Sequence, residues 1–359
     1  MNIENIVRKS IIDMGVKEYA PDKQEKTHKF DLSLNINPFG VSDRVMDKIR
    51  SISPPVVNNY YAENQDLKIE ISNYVGVKPE QVLLGDGCDG CIEMIAHTFI
   101  ENGDEVLIPV PTFHRYEFHT DLMGGTPVFC EMNENFEIDA GKLLEKATDK
   151  TKIIFLCDPN NPTGLAIDDT IKENIIRRFH GIVVIDEALA DTAGINGSKL
   201  VDKHDNLIVV RSFSKTFGIA SLRVGYIISN EKIVREVKKT SSPFKVNGLA
   251  QEAALEALRD KDYIRKSKEF IDKEKNFLFD SLKTIGMKFT DTKTTNFLLD
   301  ITPTGLSTSE FVDRLKEKNV IVTNATVFRV SEDKFVRVCI SDHESNAKFI
   351  DVIREICGD

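Results

Sequence analysis

The most informative segment of this chain is RSFSKTFGIASLRVGY, residues 211–226. It places Lys215 directly after Ser214, with Ser212 shortly before them and Arg223 eight residues beyond the lysine. A lysine amine can join covalently to an aldehyde, and hydroxyls and a guanidinium are donors that suit a phosphate dianion. The segment therefore indicates a site for a phosphorylated cofactor that is attached to Lys215.

Around this segment, from about residue 66 to residue 240, short apolar segments alternate with helical patterns. The apolar segments are β-branched and are bounded by Gly, Pro, Asn or Asp, as buried strands are. Six strands are predicted, with the sequences QVLLG, EVLIP, TPVFC, KIIFLC, GIVVID and NLIVVRS. Apolar strands that alternate with helices predict an α/β fold, a mostly parallel sheet covered by helices on both faces.

The last third of the chain predicts a second, smaller domain. Residues 251–286 contain no proline and predict one long helix that leads into it. The strands TNFLLDI, NVIVTN and FVRVCIS follow, and then a last helix in which Phe349, Val352, Ile353 and Ile356 share one face. The predicted domains are an N-terminal arm with part of the small domain (1–40), a large cofactor-binding domain (41–250) and a small α+β domain (251–359).

Composition excludes several classes of protein. The net charge of −10 argues against general affinity for nucleic acid. No N-terminal segment resembles a signal peptide, and no apolar run approaches the roughly 20 residues of a membrane span. We therefore expect a cytoplasmic protein with no nucleic-acid or membrane partner.

The six cysteines are scattered, although two of them form the pattern CDGC at residues 88–91. A zinc site would need a second close pair of Cys or His ligands, and the sequence offers none. A redox role would need a different strand and helix context. We expect no metal site, and unpaired thiols fit a reducing compartment.

Polar residues follow several predicted strands at the point where each strand ends. Asn161 follows KIIFLC, Asp186 ends GIVVID, and Lys215 follows NLIVVRS. A fourth strand, QVLLG, leads into a helix whose N-terminus lies near residues 87–89. Ligands bind beyond the carboxyl ends of the strands in such sheets, and a glycine-rich helix start offers N–H groups to a phosphate.

Together these residues match the needs of pyridoxal 5′-phosphate (PLP). Its aldehyde needs a lysine, and its ring nitrogen needs a carboxylate to remain protonated. Its phenolate oxygen needs a donor, and its phosphate needs a helix N-terminus, hydroxyls and an arginine. Each of these features is common by itself, and only their combination points to PLP.

From about Asn35 to the C-terminus the chain resembles the class I/II, fold-type I PLP-dependent aminotransferases, in particular the histidinol-phosphate aminotransferase branch. The resemblance rests on LNINPFG, QVLLGDGCDG, PVPTFHRYEF, FLCDPNNPTGL, VVIDEA, RSFSKTFGIASLRVGY and VRVCIS. It implies transfer of an amino group between an anionic amino substrate and a 2-oxo acid.

The resemblance also implies roles for individual residues around the cofactor. Lys215 would form the Schiff base and then move a proton between the substrate and the cofactor. Asp186 would pair with the ring nitrogen, Asn161 would donate to the phenolate oxygen, and Phe113 would stack on the ring. The pKa of the lysine should be lowered in such a cationic, partly desolvated place.

The phosphate would be held by the backbone amides of Cys88 and Asp89 together with Ser212, Ser214 and Arg223. A tyrosine of NYYAEN would reach the same phosphate from a second subunit, which implies a homodimer with a shared site. That tyrosine is Tyr60 or Tyr61, and Tyr61 is favoured. Arg337 of VRVCIS and Asn37 of LNINPFG would contact the substrate.

Two positions depart from the family pattern. Leu189 stands where the family usually has an aromatic residue, often tyrosine, that hydrogen-bonds the phenolate oxygen. Thr323 stands where the family usually carries the second arginine of a clamp on the substrate phosphate. Arg329 is near in sequence and could replace that arginine.

Two alternatives follow from related families. The threonine-phosphate decarboxylases share FDLSLNINPFG- and FLCDPNNPTGL-like segments, and the motifs do not report which bond of the substrate is broken. Some transcription regulators use an aminotransferase-like domain as a PLP sensor. About 30 residues before LNINP are too few for a DNA-binding module, and the acidic charge also opposes this reading.

Overall fold

The computed structural model describes residues 3–12, 14–15 and 30–358. The part of the predicted N-terminal arm that falls on residues 16–29 lies outside the described residues. The strands run in chain order as β1 Phe30–Asp31, β2 Val82–Gly85, β3 Glu105–Val110, β4 Thr126–Glu131, β5 Thr151–Cys157, β6 Ile182–Asp186, β7 Leu207–Ser212, β8 Gly225–Ser229, β9 Lys288–Phe289, β10 Asn296–Asp300, β11 Val320–Ile321, β12 Thr323–Asn324 and β13 Phe335–Cys339.

The α-helices surround these strands and connect most of them. In chain order they are α1 Lys9–Ile12, α2 Asp43–Arg50, α3 Pro54–Asn58, α4 Gln65–Val75, α5 Gly87–Phe99, α6 Arg115–Met123, α7 Ala140–Glu145, α8 Asp169–Arg178, α9 Ala190–Ala193, α10 Glu231–Lys238, α11 Gly248–Arg259, α12 Lys261–Thr284, α13 Thr308–Glu317 and α14 His343–Cys357.

The central sheet has seven strands in the order β2-β8-β7-β6-β5-β3-β4. Neighbouring strands from β7 to β4 are parallel, and β8 is antiparallel to both β7 and β2. The mostly parallel sheet predicted from the sequence is confirmed, and so are its six predicted strands. The sequence analysis missed β8, which the segment GYIIS forms two residues after the arginine of the lysine segment.

Both faces of this sheet are buried. Along β5, Ile154 and Leu156 join the apolar core on one face, whereas Ile153 and Phe155 join the core on the other. Successive side chains of a strand point to opposite faces, so a strand that is apolar at every position needs cover on both. This arrangement explains why the predicted strands lack an alternation of apolar and polar residues.

A third core lies in the small domain. The strands β12, β13, β10 and β9 form an antiparallel sheet in that order, and β1 pairs in parallel with β11. Leu32, which follows β1, shares this core with residues of α12, α13 and α14. The predicted domain boundaries stay a prediction, which this distribution of the cores supports.

The long helix predicted over 251–286 is wrong, because the segment forms two helices, α11 and α12. Asp260 lies between them with φ −84° and ψ 70°, and its side chain accepts a hydrogen bond from the amide of Tyr263. An aspartate in this position caps the start of the second helix. Helix α12 does connect the two domains, since Ile264 belongs to the core of the large sheet and Leu278 to the small-domain core.

The last helix, α14, confirms its predicted apolar face. Phe349, Val352 and Ile353 are buried, and Ile356 is partly buried against the same core. Within the ranges that the structure describes, no helix combines the length and the apolar character needed to cross a membrane.

Candidate active site

Four strand ends meet at one edge of the central sheet. Strands β5, β6 and β7 are parallel, and β2 runs in the same direction because both β2 and β7 are antiparallel to β8. Gly85 at the end of β2 and Ser212 at the end of β7 both pair with Gly225. The segments that leave these ends therefore bring the start of α5, Asn161, Asp186 and Lys215 to one place.

Lys215 is partly buried at this edge, and its Nζ donates a hydrogen bond to the carbonyl oxygen of Asn35 at 2.6 Å. Burial lowers the pKa of the lysine, and the nearby positive charges of Arg337 and Arg223 lower it further. This is the direction that the sequence predicted. A lowered pKa leaves more of the amine neutral, and the neutral amine is the nucleophile.

Asp186 is 3% exposed. Its Oδ2 accepts a hydrogen bond from the hydroxyl of Tyr116 at 2.8 Å, and its Oδ1 accepts one from the amide of Ala188 at 3.0 Å. Burial raises the pKa of the carboxyl, whereas the two hydrogen bonds act in the opposite direction. Among the described residues no basic side chain forms an ion pair with it, so this buried carboxylate suits a cationic partner.

A cradle for an anion lies at the start of α5. Gly87 has φ +81°, and a Cβ on it would lie 2.4 Å from Nη2 of Arg223. Nη1 of Arg223 donates to Oγ of Ser214 at 3.4 Å, and the amide of Ser214 donates to Oγ of Ser212 at 3.0 Å. The side chain of Asp86 does not cap the helix, so the first-turn amides have no partner from it.

The two residues predicted to offer amides to the phosphate, Cys88 and Asp89, lie in the first turn of α5. The carboxylate of Asp89 is held by Arg115, with N–O distances of 2.6 and 2.9 Å, and it lies 3.0 Å from Nε2 of His119. The side chain of Asp89 is therefore paired within the chain. Its predicted use of the backbone amide is unaffected and stays a prediction.

Arg337 lies on β13, opposite Thr323 in the register, and is 8% exposed. Its Nη1 donates to Oδ1 of Asn161 at 3.1 Å, and its Nη2 donates to Oγ1 of Thr323 at 3.0 Å and to the carbonyl oxygen of Ser33. Its buried Nε–H has no hydrogen-bond partner within the described chain. A buried donor without a partner is costly, so this guanidinium suits an anionic ligand.

Arg329 does not complete a clamp with Arg337. Its Nη2 and Nε donate to the carboxylate of Glu117 at 2.6 and 3.0 Å, and its guanidinium packs on the ring of Phe129 at 3.9 Å. The suggestion that Arg329 replaces the missing second arginine is therefore not supported. Thr323 does face Arg337, as expected for the departure that the sequence revealed.

Asn37, which was predicted to contact the substrate, is engaged within the chain, and its assignment to the substrate stays a prediction. Its side-chain amide donates to the carbonyl oxygen of Thr216 and to Oγ of Ser267, both at 2.8 Å, and to the hydroxyl of Tyr263 at 3.1 Å. These bonds tie the N-terminal segment to α12 and to the lysine segment. Asn35, two residues earlier, is the one whose backbone contacts Lys215.

The two tyrosines of NYYAEN differ in their surroundings. The hydroxyl of Tyr61 donates to Glu252 of its own chain at 2.5 Å, and burial and this carboxylate raise its pKa to about 12. Tyr60 is 86% exposed, and its ring stacks on that of Phe244 at 4.9 Å. The preference for Tyr61 as the residue that crosses to a second subunit is therefore not supported, because its hydroxyl is already engaged.

Phe113 is half-buried, and its ring meets that of Tyr116 edge-on, with centroids 5.8 Å apart. Its predicted stacking on the cofactor stays a prediction. Leu189 is 4% exposed and offers no hydroxyl at the position where the family usually has an aromatic residue.

Comparison with known proteins identifies the family. Residues 27–353 match the family model described as aminotransferase class I and II. This chain belongs to that family. A histidinol-phosphate aminotransferase of Methanosphaera stadtmanae is 33% identical over 329 residues, which cover 90% of this aminotransferase and 89% of the relative. One of Methanocaldococcus jannaschii is 33% identical over 373 residues, which cover 99% and 98%.

Solved structures give the same fold. The histidinol-phosphate aminotransferase of Clostridium acetobutylicum has a TM-score of 0.83 and 26% identity, and the match covers 92% of this aminotransferase and 99% of that chain. The enzyme of Sinorhizobium meliloti, solved in complex with PLP, has a TM-score of 0.86 and covers 98% and 97%. At 20% identity, the second likeness shows the fold alone.

The aminotransferase is PLP-dependent, and the residues at the sheet edge fit that cofactor. They include a partly buried lysine, a buried carboxylate that forms no ion pair with a described basic side chain, and a glycine that leaves room for Arg223 at a helix start, which is the set that PLP needs. The described cysteines are free. Within the described ranges, no group of three or more His, Cys, Asp or Glu residues is placed to hold a metal.

The sequence analysis missed two residues of the aminotransferase site. Tyr116 hydrogen-bonds Asp186, but its spacing of three from Phe113 is also that of an ordinary buried helix residue. The contact of Asn35 with Lys215 uses a backbone oxygen, so its side-chain type gave no signal.

Proposed function

We propose that this aminotransferase acts on small anionic amino substrates, including histidinol phosphate and free α-amino acids, with a 2-oxo acid as acceptor. The observation that carries the proposal is the buried guanidinium of Arg337, which has an unpartnered Nε–H and lies near Lys215. A planar guanidinium binds a carboxylate or one face of a phosphate through two parallel hydrogen bonds. The names of the relatives support histidinol phosphate as one substrate.

PLP, when bound, supplies an aldehyde that takes up the amino group and a ring that stabilises the negative charge left at the substrate Cα. Lys215 would hold the aldehyde at rest and then act as the base that removes the Cα proton. Asp186 would keep a positive charge on the ring nitrogen. Asn161, which Arg337 already contacts, would connect the substrate end of the site with the phenolate oxygen.

The remaining residues would hold the cofactor and orient the substrate. Ser212, Ser214, Arg223 and the first-turn amides of α5 would bind the phosphate, and Phe113 would cover the ring. Arg337 would set the direction in which the substrate anion lies, and so decide which Cα bond faces the lysine. The free thiols support a cytoplasmic place for this chemistry.

A panel of amino donors tests the proposed substrate class. The purified enzyme with PLP is mixed with histidinol phosphate and with a set of free α-amino acids, and uptake of the amino group is followed through the absorbance of the cofactor. A 2-oxo acid should then restore the starting spectrum. Amines that lack an anionic group should react more slowly than anionic amino donors. Equal rates for the two kinds of donor would contradict the role of Arg337.

Thr323→Arg should favour histidinol phosphate over free amino acids. A charge-assisted hydrogen bond is about twice as strong as a neutral one, so a second guanidinium beside Arg337 should add about 1.5–3 kcal/mol for a phosphate dianion. That corresponds to a gain of roughly one to two powers of ten in kcat/KM. The measurement is kcat/KM for histidinol phosphate and for the best free amino acid in parent and variant.

Thr323→Gln is the matched control, because it adds length without charge. It should not raise kcat/KM for histidinol phosphate. If the parent already prefers histidinol phosphate by several powers of ten and the arginine adds nothing, another residue supplies the second charge and the interpretation of Thr323 is wrong.

We propose further that the active unit is a homodimer in which Tyr60 completes the phosphate site of the partner. The support is its exposure together with its ring contact with Phe244, which is also exposed, because clustered apolar surface marks an interaction site. Tyr60→Phe should weaken PLP binding about fivefold if it removes one neutral hydrogen bond of about 1 kcal/mol, and more if the bond is to the charged phosphate.

Tyr61→Phe is the comparison variant, since its hydroxyl bonds to Glu252 within its own chain. It should change the Kd for PLP less than Tyr60→Phe does. The reverse order would return the role to Tyr61. A monomer by light scattering that keeps full activity would reject the shared site altogether.

A further inference from the structure

Tyr116 contacts Asp186 through its side chain, from a helix that lies outside the loops with the proposed cofactor contacts. It is the second residue of α6, it is fully buried, and its hydroxyl donates to Oδ2 of Asp186 at 2.8 Å. The other carboxylate oxygen accepts from the amide of Ala188 at 3.0 Å. Each oxygen of the carboxylate thus accepts from one of these two donors, and the thiol of Cys88 hydrogen-bonds the same carboxylate.

The ring of Tyr116 is held on two sides. It stacks on Phe155 of β5, with centroids 4.7 Å apart and an interplanar angle of 6°, and it meets the edge of Phe113 at 5.8 Å. A buried aromatic ring packed in this way has little freedom to rotate, so the direction of its hydroxyl is set by the core. Because the hydroxyl has a fixed direction, it also restrains the orientation of the Asp186 carboxylate.

We propose that Tyr116 is a positioning residue that keeps the Asp186 carboxylate ionised and oriented for its pairing with the ring nitrogen of the cofactor. The inference rests on the proposed function of Asp186. The hydroxyl donates a hydrogen bond to the charged form of the carboxyl and so favours that form. Without it, the buried carboxyl would take up a proton more readily and hold the cofactor ring less strongly.

The titratable groups that face Asp186 come from three elements. They are Tyr116 of α6, Cys88, Asp89 and Cys91 of α5, and Cys157 of β5. Burial raises the pKa of all three thiols, which therefore remain neutral near pH 7. The charge of Asp89 opposes a second negative charge on Asp186, so the hydroxyl of Tyr116 acts against both burial and this repulsion.

The test is Tyr116→Phe, which removes the hydroxyl and keeps the stacked ring. The Kd for PLP should rise about tenfold, equivalent to about 1.4 kcal/mol, the scale of one hydrogen bond to a charged group. The loss of PLP affinity at acid pH should move to higher pH by about one unit, since the variant carboxyl protonates more easily. With amino donor, kcat should fall while KM changes little, because Arg337 is untouched.

Tyr226→Phe is the matched control. Tyr226 is also fully buried, but it lies in the core on the opposite face of the sheet, and its hydroxyl has no described hydrogen-bond partner. It should leave the Kd for PLP and the acid midpoint within about twofold of the parent. Replacing Tyr116 by 3-fluorotyrosine, a stronger donor of the same shape, should move the acid midpoint to lower pH, and it keeps the test open if the Phe variant folds poorly.

The outcomes separate this inference from the proposed function. If Asp186→Asn binds PLP as the parent does, the proposed role of Asp186 fails. If Asp186→Asn weakens binding but Tyr116→Phe and the fluorinated variant leave Kd and midpoint unchanged, only the inference about Tyr116 is overturned. It is also overturned if Tyr116→Phe has the same effect in the Asp186→Asn background, because the hydroxyl would then act on something other than the carboxylate.

Discussion

Lys215→Ala should abolish the absorbance of lysine-bound PLP and nearly all turnover. The lysine is the proposed point of attachment, and it is also the proposed base for the Cα proton. General acid–base catalysis alone contributes about 10²–10⁴-fold, so the combined loss should be on the order of 10⁴-fold or more. The measurements are the visible spectrum of the protein with added PLP and the initial rate with the best amino donor.

The control for Lys215→Ala is Lys239→Ala, a lysine that is largely exposed and ion-paired with Glu236. It should keep the parent spectrum and rate. A yellow Lys215→Ala protein, in which borohydride reduction fixes PLP to a different lysine, would show that the attachment site has been assigned wrongly. Reduction followed by peptide mapping makes the assignment without reference to activity.

Site residues could be placed from the sequence where the backbone path fixes their position, as at the end of a strand. In loops the sequence does not fix the position of a side chain. Asn161, Asp186 and Lys215 were brought together correctly because each follows a parallel strand, and parallel strands end at one edge of the sheet. The intrachain contacts of Asn37 were not foreseen, because it stands in a loop, where spacing does not fix the direction of a side chain. Asn35, whose backbone oxygen accepts from Lys215, and Asn37, whose side chain donates to Ser267 of α12, lie only two positions apart.

Contacts between distant segments account for the other differences. Arg329 has φ +60° at the end of a short turn, and this turn directs its guanidinium to Glu117 of α6. The pairing joins residues 212 positions apart, and no local sequence pattern predicts it.

Strand β8 was missed because its apolar residues continue directly from the lysine segment, without the turn residues that usually bound a strand.

Asp186→Asn should separate stability from function, because the substitution keeps the shape of the side chain and removes its charge. Burial raises the pKa of Asp186, so ionising this carboxyl in the folded protein costs stability at any pH above its ordinary pKa. Without PLP, the Asn variant should therefore unfold at the same temperature as the parent or at a higher one. Its amide can still accept from Ala188, so local packing should persist.

With PLP, the Asn variant should be less stable than the parent, since a neutral amide cannot pair with a positive ring nitrogen. Breaking a buried pair costs about 3–5 kcal/mol, which corresponds to roughly 10²–10⁴-fold in kcat. PLP should then stabilise the variant less than it stabilises the parent in a thermal unfolding experiment. An Asn variant that gains as much stability from PLP as the parent, and keeps its kcat within tenfold, would mean that Asp186 does not face the ring nitrogen. The change in stability caused by Asp186→Asn should therefore have opposite signs without and with PLP. This distinguishes an electrostatic role from a structural one, because replacing a residue needed only for packing would lower stability in both states.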